Sequence, residues 1–275
     1  MTSFTSRSRN LRAREASTNV LASEWLKVRS VRSSHLILAL SLGTILLGVG
    51  LAWMAAGMYD SAPPDQRSRA SLAELEKVLV IVPQLCLGVL GVLTITSEYV
   101  TGMIRASLAV VPRRWPVLTA KATVVGALGL MMGPTVEFGT YFLCRWVIDD
   151  RFAGVYTTPL VDRLPTLITT GLSVPVFALL GLGLGVILRS TAGAITILVG
   201  LVYVIPMIVG NLPEPWSERL GSVMIGGLPG QITGDDLTHS VYGSLLPPTA
   251  AAVVLATYAL LPIVAGAWLL CRRDV

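Results

Sequence analysis

Six apolar stretches alternate along the chain with short polar segments: Ser34–Gly57, Val78–Ser97, Val117–Leu143, Leu164–Leu188, Thr191–Val209 and Thr249–Leu270. A helix of about 20 apolar residues crosses the ~30 Å hydrocarbon core of a bilayer, so the pattern predicts an all-α, polytopic membrane protein with six transmembrane helices. Arg189 and Ser190 are the only polar break between the fourth and fifth stretches, which predicts a tight helical hairpin. The first stretch is too long for a signal-peptide core and begins 33 residues in, so it is expected to stay as a helix. Residues 1–18, basic and Ser-rich, are expected to be disordered. Residues 19–275 are expected to form one transmembrane domain.

Two polar segments carry a helical period of their own. In "VLASEWLKVRSVRSSH", Leu21, Trp25 and Val28 fall on one stripe, while Lys27, Arg29 and Arg32 supply positive charge. This predicts an amphipathic helix lying in the membrane interface, and its alternative is a disordered basic leader. In "TSEYVTGMIRASLAVVPRRWP", Val100, Ile104, Leu108 and Val111 share one stripe and Glu98, Thr101, Gly102 and Arg105 the opposite one. Pro112 ends the run, followed by Arg113 and Arg114. One face suits the bundle or lipid, and the other offers an acid, a base and bare backbone. The segment reads either as a docking surface or as a plain interfacial connection.

Composition agrees with the pattern. The chain has 275 residues, 53% of them hydrophobic and 13% charged, about half the charged fraction of a soluble domain; its mean hydropathy is +0.71. The net charge of +5 is distributed unevenly. With the N-terminus inside, the inner segments hold 14 of the 21 basic residues and four acids, a net +10. The outer segments hold seven basic residues and eleven acids, a net −4, and Glu137 lies within the third span. That asymmetry obeys the positive-inside rule and places both termini in the cytoplasm of a plasma-membrane protein. Topology therefore accounts for the basic character, and nucleic acid is not an expected partner.

Pro83, Pro134, Pro175, Pro206 and Pro262 place a proline in each span after the first. They read either as kinks used in a transport cycle or as ordinary packing. Gly129/Gly133 and Gly181/Gly185 have the spacing that lets membrane helices approach closely.

Several chemistries lack their residues. Cys86, Cys144 and Cys271 are dispersed, and His35 and His239 are the only histidines, so neither a disulfide framework nor a metal site is indicated. No G-x-x-x-x-G-K-[ST] loop, H-E-x-x-H or G-x-S-x-G occurs. The chain is not read as an enzyme. Glu137, in "MMGPTVEFGTYFLCRW", is the one acid inside a span and is a candidate for lining the pathway or the interior between protomers. Alternatively it snorkels, or Arg145 two turns on satisfies it.

"SEWLKVRSVRS" before the first span, "SEYVTGMIRASLAVVPRR" between the second and third, "LRSTAGAI" and the terminal "WLLCRRDV" together resemble permease subunits of the ABC-2 family of ATP-binding-cassette exporters, in their actinobacterial form. The resemblance covers essentially the whole chain. It implies an N-terminal interfacial elbow helix carrying Glu24, Trp25 and Lys27, and a cytoplasmic coupling helix carrying Glu98, Thr101, Gly102, Arg105, Pro112 and Arg113. It also implies short helices in the last outer loop, within Pro213–Pro248. The implied partners are ATPase subunits, which would hold the ATP and Mg, and a second permease, identical or homologous, with membrane lipids around them. No cofactor is expected in this chain. The cargo is left open among drugs, antibiotics, peptides and lipids. A non-transporting sensor or immunity module of the same fold is the alternative. A secondary transporter is disfavoured, because the spans hold few ionisable residues.

Overall fold

The computed structural model describes residues 20–67, 69–102, 114–152, 154, 156–235, 237 and 240–272. The segment 1–18 and the site candidates Arg105, Pro112 and Arg113 lie outside the described residues. Helix α1 covers 20–30 and is separated from α2 (Arg32–Ser61) by Val31 alone, which is extended. After α3 (Pro64–Arg67), α4 (Leu75–Leu79) runs into α5 (Ile81–Thr101) through Val80. Pro83 explains that break: its ring crowds the carbonyl four residues back, at Leu79, and offers it no N–H.

Helices α6 (Arg114–Ile148) and α7 (Leu160–Leu188) follow, and then α8 (Thr191–Val199). A π turn over Gly200–Val204 leads from α8 into α9 (Ile205–Gly210). The wider turn precedes Pro206 and absorbs the hydrogen bond this residue cannot donate. The short helices α10 (Trp216–Gly221) and α11 (Leu228–Thr233) precede α12 (Pro248–Arg272). Among the described residues, six helical segments are long and apolar enough to cross a membrane, from Arg32–Ser61 to Pro248–Leu270. The first and third exceed their sequence-based bounds by several residues, and at 1.5 Å per residue the first is about 45 Å long. No strand occurs among the described residues.

The α7–α8 hairpin turns at the expected dipeptide. Arg189 takes a left-handed conformation at the end of α7, and the Ser190 hydroxyl accepts from the Gly193 N–H at 3.2 Å to cap α8. The Arg189 guanidinium sits over the Tyr99 ring, 5.3 Å from its centroid.

Helix α7 is the axis of the bundle. Leu167, Val174, Phe177, Ala178 and Leu182 are fully buried in it. Its neighbours pack against it at glycines. A Cβ on Gly133 would strike the Gly171 carbonyl, and one on Gly181 would strike the Gly88 carbonyl. The prolines sit at the same contacts: Pro175 against Gly129, Pro134 against Gly171 and Pro262 against Gly183. These contacts agree with the packing reading of the three prolines, because each lies where the neighbouring helix has no side chain.

The bundle has two ends. At the proximal end, α1 meets the end of α5 and the start of α6, and Leu118, Val186 and Leu270 close the apolar core. At the distal end, α4, the start of α7 and the α9–α12 connection come together. As expected for Pro213–Pro248, that connection holds two short helices, α10 and α11. It also enters the bundle: Ile225 and Leu228 are fully buried with Phe177, Leu198 and Ala251.

Candidate functional site

At the proximal end, four charged side chains from three helices form a compact cluster. Lys121, from α6, has 1% of its side chain exposed, and its Nζ lies 2.6 Å from Glu24 Oε2 on α1 and 2.7 Å from Glu98 Oε1 on α5. It also donates to the Thr94 carbonyl at 3.3 Å. Lys27 completes the arrangement at 2.6 Å from Glu24 Oε1 and 2.8 Å from Glu98 Oε1. Partial burial pushes the Lys27 amine down, but its contacts with Glu24 and Glu98 outweigh this and hold it above its ordinary 10.5. Two positive charges thus balance two negative ones, as a buried cluster requires. Beside it a cavity of about 350 Å³ opens between α1, the start of α2 and the end of α5, with Val28, Val31, Leu90 and Leu93 in its walls.

This geometry revises the expectation for Glu98. The buried face of α1 carries Glu24 and Val28, with Leu21 packed beside them, whereas Trp25 is 45% exposed together with Leu26. The reason is Lys121, which gives Glu24 a partner inside the bundle. Glu98 is not part of an exposed docking face. It lies in the last turn of α5, 4% exposed and held by both lysines. Of the segment expected as a helix over Glu98–Val111, Glu98–Thr101 form the end of the second span, which Gly102 (φ 70°) closes in the left-handed conformation; residues 103–111 lie outside the described residues. Thr101 and Gly102 are exposed. Lys121 was counted in the sequence only as an inner positive charge; its spacing to Glu24 and Glu98 carries no local signal.

The distal end holds a second network, built from residues the sequence did not single out. Arg163, near the start of α7, lies 2.8 Å from Glu74 Oε2 and 3.3 Å from Glu76 Oε1. Lys77 lies 2.7 Å from Glu74 and pairs with Asp235 in the α11–α12 connection. The Tyr156 hydroxyl donates to Glu76 Oε2 at 2.7 Å and accepts from the Leu75 N–H at 3.1 Å. Burial pushes the Glu74 carboxyl up, but contact with Arg163 and Lys77 wins and holds it below its ordinary 4.5. The network ties together the entry to the second span, the α6–α7 connection, α7 and the segment before α12.

Glu137 lies on α6 and is 1% exposed, enclosed by the helices of its own chain rather than on a surface open to a second one. Arg145 does not satisfy it, because its guanidinium donates to the Tyr141 hydroxyl and the Thr158 carbonyl.

The arrangement is that of a transmembrane bundle whose N-terminal helix is joined to its second and third spans by buried ions. Among curated proteins, none matches this chain. Residues 20–207, from α1 through the first five spans, match the family described as ABC-2 family transporter protein. The match includes both Glu24 and Lys121 and covers well over half of the sequence, and the chain belongs to the ABC-2 family of transporter proteins.

Proposed function

We propose that this ABC-2 family membrane protein is the permease subunit of an exporter, driven by separate ATPase subunits that dock on its proximal end from the cytoplasm. Family membership supports ATPase partners, and the basic charge of the proximal segments supports their orientation. The observation that carries the reading is the placement of Lys121 between Glu24 and Glu98. A force applied to α1, or to the 103–113 connection leaving Gly102, cannot slide one helix past the others without stripping buried ions of their partners. Removing one partner of such a cluster costs about 3–5 kcal/mol. The three elements therefore move together, and a push at the proximal surface is passed to the second and third spans as a unit.

In this reading the distal network is the outer closure. It joins α4, α7 and the segment before α12, so cargo leaves when these ion pairs part. The permease works as a pair, with apolar surface such as Trp53, Met54, Met207 and Leu261 left for lipid or the second copy. ATP and Mg belong to the ATPase. Drugs, antibiotics, peptides and lipids are the cargo classes to be screened.

The test is co-purification of a partner ATPase with the tagged protein from its native membrane, followed by cargo-stimulated hydrolysis in proteoliposomes. Gly102→Trp and Arg105→Glu are expected to insert normally yet lose ATPase binding or uncouple hydrolysis from transport. Normal binding and transport by both variants would remove the 98–113 region from the coupling role.

A further inference from the structure

The two charged clusters differ in balance. The proximal one matches Glu24 and Glu98 with Lys27 and Lys121. The distal one sets Glu74, Glu76 and Asp235 against Lys77 and Arg163. One more carboxyl, Glu137, lies within electrostatic range of Glu74, Glu76, Lys77 and Arg163. It is 1% exposed, and neither of its oxygens has a hydrogen-bond partner among the described residues. One turn further along α6, Thr140 Oγ1 is also buried and without a partner.

The surrounding donors are committed elsewhere. Lys77 and Arg163 are each shared by two carboxylates, and the remaining Arg163 nitrogen, Nε, is buried without a partner and makes no hydrogen bond to Glu137. The Tyr156 hydroxyl donates to Glu76, and Arg145 donates to Tyr141 and Thr158 on the same helix and the following loop. On the neighbouring helices, Ser41 and Thr44 of α2 donate to their own helix carbonyls, and Gln84 of α5 donates to Ser173 of α7. The nearby thiol, Cys144, is fully buried. An ionised Glu137 would be a bare charge in a low-dielectric interior, which folded proteins avoid. A larger cation would need a shell of free oxygens, and here only Glu137 and Thr140 supply them.

We propose that Glu137 is a proton-binding site, occupied in the closed bundle. The proton comes from water and returns to it: COO⁻ and H⁺ combine to the neutral acid, and no other bond changes. Parting the distal ion pairs would admit water to Glu137 and allow the proton to leave, which makes distal opening sensitive to pH. The pH-sensitive opening rests on the distal network being the outer closure, whereas the proton site itself needs only the isolated chain.

Infrared spectroscopy of the purified protein in lipid nanodiscs tests it, through the carbonyl stretch of a protonated carboxylic acid. At neutral pH the wild type should show this band, with a small shift in heavy water. Glu137→Gln should lose it and Glu76→Gln should keep it. Absence of the band from the wild type, a measurement that needs no variant to fold, would overturn the proposal, as would its persistence in Glu137→Gln.

Discussion

Lys121 Nζ and Glu24 Oε2 are 2.6 Å apart although the residues are separated by 97 positions in the chain. The contact joins a helix that precedes the first span to the beginning of the third. Because both groups are almost wholly buried, neither can find water if the other is removed. Lys121→Met is therefore expected to lower stability by about 3–5 kcal/mol. Lys121→Met combined with Glu98→Gln should recover part of that loss, since one stranded charge is then gone. Thermal unfolding of the single and double variants in detergent checks this, and a fully additive double loss would contradict the coupling.

The close packing around α7 predicts opposite outcomes for two glycines. A Cβ at Gly181 would overlap the Gly88 carbonyl, whereas one at Gly50 meets nothing within 4 Å. Gly181→Ala is expected to cost about 1–3 kcal/mol through overpacking. Gly50→Ala should be neutral or stabilise by up to about 1 kcal/mol, because alanine narrows the unfolded chain's freedom. Comparison of folded yields and unfolding midpoints is sufficient to separate them.

Acid should loosen the distal network. The Glu74 carboxyl is held below its ordinary 4.5 by Arg163 and Lys77. Its contribution is fully present above 4.5 and is lost as pH falls through the lowered value. Wild-type stability should therefore decline on strong acidification, and Glu74→Gln should decline less over the same range while starting lower. Identical acid profiles would show that Glu74 gains nothing from its partners.

Orientation is open to direct labelling. In a variant whose three native cysteines are replaced, Ser61→Cys and Thr157→Cys should react with an impermeant maleimide on intact cells. Ala192→Cys, at the turn between α7 and α8, should react only after lysis. The reverse pattern would invert the topology drawn from the charge distribution.

Much of the architecture was legible in the sequence because crossing a bilayer is a local requirement. A helix must satisfy its own backbone and present apolar side chains over about 20 residues, so the six spans, the turn at Arg189–Ser190 and the short helices before α12 leave marks in continuous sequence. The partners of charged residues leave none. Glu98 looked like part of an exposed amphipathic face, and only the meeting of α1, α5 and α6 shows it buried between Lys27 and Lys121. The α1 stripe of Leu21, Trp25 and Val28 was legible from its period, but not that Glu24 turns inward to an ionic partner inside the bundle. Gly129, Gly133 and Gly181 gave a spacing without a destination, and the packing of α7 supplied Pro175, Gly171 and Gly88 as the surfaces they meet. Hydropathy and helical period depend on neighbours along the chain and can be read there. Charge pairing and close approach depend on neighbours in space, and these were decided only when distant helices were brought together.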